Sequence, residues 1–212
     1  MLHNMKTLKD RILELSYKHN LSHLGSCLSA VDIIEKIFQV KLPDEKFVLS
    51  SGHAGLALYV VLEANGLGDA EKKLDHHGVH PDRCVQCHID CSTGSLGHGL
   101  PIAVGMALAD RSKDVYCLIS DGECAEGSIW EALNIFEAQE LYNLHIFVNM
   151  NGWGAYKPVD TDKLETTIMA HVPTMKDNVH IFKTTVEQYT FLVGNDAHYH
   201  AMTKEEYEST IR

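Results

Sequence analysis

Apolar residues near the start of the chain recur at steps of three and four. Leu8, Ile12 and Leu15, then Cys27-Leu28, Val31, Ile34 and Phe38, predict two helices that each bury one face. Between them Asn20-Leu21-Ser22-His23-Leu24-Gly25-Ser26 reads as a polar turn. Residues 46–50 predict a short buried strand that runs into Ser51-Gly52-His53, and residues 54–64 a helix. Further on, 100–109 predicts a helix of small residues, 115–119 a continuous apolar strand, and 128–141 another helix. Residues 145–148 predict a third strand, which ends at Asn149-Met150-Asn151-Gly152. Beyond it 162–170 reads as a helix.

Strands with no polar alternation, separated by a helix of a dozen residues, are what a parallel sheet covered on both faces produces. The expected fold class is therefore α/β, a mostly parallel sheet with helices on both faces. In such sheets ligands bind beyond the carboxyl ends of the strands, where 50–53, 120–123 and 149–153 all fall. Residues 66–99 break this regularity. They are rich in glycine, histidine and cysteine and carry too little periodicity for regular structure, so they read as one long functional loop.

Composition narrows the classes further. The 212 residues are 45% apolar and 22% charged, which suits a soluble globular protein. A chain of this length can bury about 70% of its extended surface without a staple, and a single domain over 1–212 is expected. No apolar run approaches the roughly 18 residues of a membrane span, and Met1-Leu2-His3-Asn4-Met5-Lys6 lacks the apolar stretch of a secretion signal. A cytoplasmic location, with no membrane association, is the expectation. A formal charge of -11 repels a phosphate backbone and argues against nucleic-acid binding.

Asp121 and Asn151 end two strands that one helical crossover should set side by side, so a carboxylate and an amide oxygen can converge on a hard cation such as Mg²⁺ or Ca²⁺. Gly122 lets backbone approach a phosphate closely, and the following helix offers free N–H groups to an anion. Together these read as a diphosphate and metal site.

The same residues carry a family resemblance. Ser120-Asp121-Gly122-Glu123 through Asn149-Met150-Asn151-Gly152 resembles the thiamine diphosphate motif, and Glu126-Gly127-Ser128-Ile129-Trp130-Glu131-Ala132 resembles its transketolase form. Ser22-His23-Leu24-Gly25-Ser26 is similar to that family's Gly-His-Pro-Gly turn. Phe47-Val48-Leu49-Ser50-Ser51-Gly52-His53 resembles its Phe-Val-Leu-Ser-Asn-Gly-His strand end, and His80-Pro81-Asp82 its His-Pro-Glu. Ser92-Thr93-Gly94-Ser95-Leu96-Gly97-His98-Gly99 resembles its Thr-Thr-Gly-Pro-Leu-Gly-Gln-Gly loop. These motifs stand in the family's order, and the resemblance spans residues 22 to 153.

The resemblance implies the diphosphate-binding half of a transketolase-like enzyme, which uses thiamine diphosphate and Mg²⁺ or Ca²⁺ to move a two-carbon ketol unit between sugars. Asp121, the Asn151 side chain and the Trp153 carbonyl would hold the metal. His53, Gly94, Leu96, Gly122, Glu123 and Asn151 would meet the cofactor. His23, His53 and His80 would face the reacting carbon and the sugar hydroxyls. Gly194-Asn195-Asp196-Ala197-His198-Tyr199 loosely resembles a substrate-facing loop and adds His198. Imidazoles suit this work because they titrate near neutrality and can accept and return hydroxyl protons.

The family's pyrimidine-binding domain has no counterpart among the sixty or so residues after Trp153. The expectation is a split subunit, inactive alone, that self-associates and pairs with a separate pyrimidine-domain chain as a heterotetramer. Ser120 stands where the family has glycine and Leu24 where it has proline, and the part after about Tyr156 is shortened. Residues 180–185 resemble the family's closing strand. A deoxyxylulose phosphate synthase-like enzyme is the enzymatic alternative, and a catalytically silent scaffold the non-enzymatic one.

Cys84-x-x-Cys87-His88-x-x-Cys91 stands outside that scheme. It has the form of a c-type haem attachment motif, disfavoured without an export signal, and with His76, His77 or His88 it could hold a structural Zn²⁺. The leading expectation is three reduced thiols in a loop. Glu123, Glu126 and Glu131 also read as acidic residues favoured near a helix N-terminus.

Overall fold

The computed structural model describes residues 7–154 and 157–210; the Met1–Lys6 start and the boundary at Tyr156 lie outside the described residues. Its sheet has four parallel strands in the order β1 (Lys46–Leu49), β2 (Val115–Ser120), β3 (Leu144–Met150) and β4 (Val179–Lys183). The three apolar runs form β1 to β3, and the segment that resembles the family's closing strand supplies β4.

Period-two geometry sends alternate residues of these strands to opposite faces, and each face has its own helices. Tyr116, Leu118 and Phe147 pack under α1 (Leu8–Lys18), α2 (Leu24–Val40), α3 (Gly55–Ala64) and α4 (Ala70–His77). Cys117, Ile119, Ile146 and Val148 pack under α5 (Gly99–Ala109), α6 (Gly127–Ala138) and α7 (Thr161–His171). Helix α3 is buried from Gly55 to Leu62, as its unbroken apolar sequence requires. Among the described residues no helix is long and apolar enough to cross a membrane.

Several features differ from the sequence expectation. The stretch expected to lack regular structure contains α4, whose AEKKLDHH sequence buries only Ala70, Lys73 and Leu74 and so shows little periodicity. Its start is set by Asp69, whose side chain accepts from Lys72 N at 2.9 Å. Cys84 and Cys87 are joined in a disulfide instead of standing as free thiols, because the Cys-x-x-Cys turn brings both sulfurs to the same side. The expected 128–141 helix stops at Ala138. A last helix, α8 (Lys204–Thr210), carries no clear sequence signal; its Tyr207 stacks on Tyr17 of α1 with centroids 4.5 Å apart.

The strand ends are tied together by one buried carboxylate. Glu123 is fully buried; its Oε1 accepts from Ser50 Oγ at 2.6 Å and from Gly97 N at 3.0 Å. Oε2 accepts from Ser120 N at 3.0 Å. This joins the end of β1, the end of β2 and the loop before α5. At Gly99 a Cβ would lie 2.5 Å from Ser50 Cα, so only glycine lets α5 start against β1.

Glu123→Ala would strand these donors in the interior. The expected cost is about 2–4 kcal/mol, a melting temperature lower by roughly 5–15 °C, with Glu123→Gln losing less because it keeps one oxygen acceptor. Thermal melts of the three proteins followed by circular dichroism check this.

Candidate functional site

Above the carboxyl ends of the strands lies a cleft of ≈ 340 Å³ with two chemically different ends. Oxygen donors and glycines form the first. Asp121 follows β2 directly and is 2% exposed; its Oδ1 accepts from Gly122 N at 2.9 Å and its Oδ2 from Gly152 N at 2.7 Å. Asn151 follows β3, and its Oδ1 accepts from Trp153 N at 2.9 Å. A Cβ on Gly122 would come within 3.2 Å of Gly154 Cα and 3.4 Å of the Trp153 carbonyl oxygen. The crossover through α6 thus gathers the Asp121 carboxylate, the Asn151 amide and the Trp153 carbonyl within one pair of turns.

Burial pushes the Asp121 carboxyl up to about 6, against the pull of the Gly152 and Gly122 N–H groups. A desolvated carboxylate beside two neutral oxygen donors and a glycine cradle is chemically suited to a small hard cation, which would offset the cost of burying the charge.

Histidines form the other end. His23 precedes α2 with a left-handed φ of 62°, and its backbone N–H donates to the His198 carbonyl at 3.0 Å. His53 lies in a short turn, Gly52–Ala54, after β1, and His198 closes another, Asn195–His198. Ring centroids are 5.2 Å apart for His23 and His53, 4.5 Å for His23 and His198, and 5.5 Å for His53 and His198. Burial lowers His23 to about 4 and His53 to about 3, with the neighbouring imidazoles adding to the shift; burial also lowers His198. All three are neutral at neutral pH. Among the described residues His23 Nδ1 is buried with no hydrogen-bond partner.

His80 comes from the loop after α4 and is exposed, its ring set against Gly94, where a Cβ would lie 3.0 Å from His80 Cδ2. Gly94 and Leu96 line the same cleft.

The structure therefore places His23, His53, His80, His198, Gly94, Leu96, Gly122, Asn151 and Trp153 around one cleft. Glu123 is different. Its carboxylate is spent inside the fold on Ser50, Gly97 and Ser120, so its side chain positions the site's frame and makes no contact in the cleft. Asn149, the first Asn of the pair, is likewise internal: its Nδ2 donates to Ser29 Oγ at 3.0 Å and its Oδ1 accepts from Thr184 Oγ1 at 2.6 Å. Thr185 and Tyr199, which lie in the two tail segments that resemble the family, also line the cleft, and so does Glu187, which carried no sequence signal; the pairing of β4 and the return of the tail bring them there.

The family described as "Transketolase, thiamine diphosphate binding domain" matches residues 10–168. The chain is 38% identical over 160 residues to human transketolase, covering 64% of this chain and 25% of the relative. To one of the subunits of the apulose-4-phosphate transketolase of Phocaeicola vulgatus it is 35% identical over 163 residues, covering 68% of this chain and 58% of the relative. It is also 33% identical over 169 residues to a 6-deoxy-6-sulfo-D-fructose transketolase subunit of a Clostridium species, covering 70% of this chain and 62% of the relative. The chain thus spans about a quarter of human transketolase and about three-fifths of the two subunits. In fold it is similar to the transketolase of Campylobacter jejuni, with a TM-score of 0.76 at 21% identity over 98% of this chain and 43% of that one.

The depressed histidines give the ligand-free chain a pH signature. Their folded pKa values lie below the unfolded value near 6.5, so the unfolded chain takes up protons first and stability falls as pH drops from about 6.5 towards 4. Asp121, shifted upward, acts in the opposite sense over an overlapping range. His53→Gln should therefore show a smaller drop in melting temperature between pH 7.5 and pH 5 than the parent chain; scanning fluorimetry at matched ionic strength reads the difference.

Proposed function

This chain belongs to the transketolase family, in its thiamine diphosphate binding domain, and on that premise we propose that it is the N-terminal subunit of a split transketolase-like enzyme. In this reading residues 1–212 are a single cofactor-binding domain, shortened after about residue 156, that acts in the cytoplasm. It self-associates and joins a separate pyrimidine-domain subunit in a heterotetramer. The enzyme transfers a two-carbon ketol unit between sugars, often phosphorylated ones. Two relatives that are named as transketolase subunits support a divided enzyme.

The observation that carries the reading is the pairing, at one cleft, of a cation-suited oxygen set (Asn151 and Trp153 in the lining, with buried Asp121 next to Gly122) with a cluster of neutral histidines. When bound, thiamine diphosphate supplies the nucleophilic carbon and the electron sink for cleaving the ketose. Asp121, Asn151 and the Trp153 carbonyl would hold Mg²⁺, or Ca²⁺ in its place, against the diphosphate. Gly94, Leu96 and Gly122 line the cleft and would meet the diphosphate, and Gly122 has no side chain to obstruct it.

His23, His53, His80 and His198 face the opposite end, where sugar hydroxyls would lie. An imidazole kept neutral by burial can accept a hydroxyl proton at neutral pH and return it to the product, which a permanently protonated one cannot. The crowding of His23, His53 and His198 within 5.5 Å makes a second protonation in the cluster unfavourable. One proton at a time is what shuttling between substrate oxygens calls for.

Isothermal titration of the purified chain with thiamine diphosphate, with and without Mg²⁺, tests the reading. The expected result is metal-dependent binding weakened roughly 100-fold in Asp121→Ala, equivalent to about 2.7 kcal/mol. Absence of binding, both for the chain alone and for the chain mixed with its pyrimidine-domain partner, would overturn it in favour of the silent scaffold.

A further inference from the structure

Outside the cleft, we propose that His76, His77, Cys84 and Cys87 form a structural Zn²⁺ site that clamps the loop carrying His80. Helix α4 ends on His76 and His77, and Gly78, at φ 72°, turns the chain away. The two rings meet edge to face with centroids 4.5 Å apart, so adjacent residues that would diverge within a helix converge at its end. One ligand atom each from His76, His77 and Cys87 lies within 4.8 Å of the others. Cys84 Sγ is bonded to Cys87 Sγ and so adjoins the same point. Tetrahedral zinc with bonds of about 2.0–2.3 Å sets its ligand atoms roughly 3.3–3.8 Å apart, so His76, His77 and Cys87 would draw together by at most about 1.5 Å while the two sulfurs, bonded to each other in the disulfide, would separate once that bond opens.

The hairpin that presents the sulfurs has the form of a metal-binding turn. Cys84 N donates to Ile89 O at 2.9 Å, and Ile89 N donates back to Cys84 O at 3.0 Å. Cys87 N donates to Cys84 Sγ at 3.2 Å, a bond that steadies a thiolate, and His88 takes a left-handed φ of 60° to close the turn. Among the described residues His77 Nε2 is buried with no hydrogen-bond partner. Two thiolates and two neutral imidazoles match the charge and the softness of Zn²⁺, and leave no open position for catalysis. Cys91 is outside the set: it is buried against the α5 and α6 side of the sheet, and its Sγ donates to Ser92 O.

The site needs the dithiol form. A dithiol reductant opens the Cys84–Cys87 bond by exchange, giving two thiols as it closes its own disulfide; Zn²⁺ then binds both sulfurs and releases two protons. The clamp would fix both flanks of residues 78–83, and so the approach of His80 to Gly94.

The test is metal titration of the full chain, reduced with a phosphine and kept anaerobic. Co²⁺ should bind at one equivalent with thiolate charge-transfer and tetrahedral d–d bands, Zn²⁺ should displace it, and Zn²⁺ should raise the melting temperature. Cys87→Ser and His77→Ala should abolish the bands while circular dichroism reports a folded chain. Cys91→Ser and His88→Asn should keep them. Asp121→Ala should keep them too, which separates this site from the cleft. Substoichiometric metal with no thiolate bands, or bands that survive Cys87→Ser, would overturn the proposal.

Discussion

A fully buried carboxylate holds the architecture of the site in place. Glu123 accepts hydrogen bonds from Ser50 at the end of β1, Ser120 at the end of β2 and Gly97 in the loop before α5. A carboxylate in an apolar interior is tolerable only when its lone pairs are filled, so the three segments are held in one arrangement. His53 follows the first of these segments by a few residues, Asp121 the second, and Gly94 and Leu96 precede the third. The cleft owes its shape to a residue that does not enter it.

The two ends of the cleft face different electrostatic problems. At the oxygen end, burial leaves Asp121 with a carboxyl that, among the described residues, backbone N–H groups answer, and a cation is the natural complement. At the histidine end, burial and mutual proximity keep His23, His53 and His198 uncharged. The sheet supplies the oxygen end through the turns that follow β2 and β3, whereas of the three histidines only His53 follows a strand; His23 comes from the turn before α2 and His198 from the tail.

Legibility differs with the kind of signal. The buried strands read clearly as apolar runs, and α5 begins within a residue of its predicted start. Helix α4 escapes the pattern because an exposed helix can be almost entirely polar, and its one clear marker, Asp69, is also a common turn residue. Helix α8 escapes for the same reason: it is polar along its length, and its Tyr207 stacks on Tyr17 only in the folded chain. The Cys84–Cys87 bond cannot be read from composition, since a Cys-x-x-Cys spacing serves thiols, disulfides and metals alike.

The α/β class, the strand-end position of Asp121, Asn151 and His53, and the family resemblance are readable from the chain alone, because hydrophobic period and short motifs are local properties. Folding added what the local pattern does not encode. It turned Glu123 inward, folded the tail so that the His198 carbonyl meets the His23 N–H, and brought His76 and His77 against Cys87. Each of these depends on residues that meet only once the chain has folded, and burial, which lowers His23, His53 and His198 and raises Asp121, exists only then.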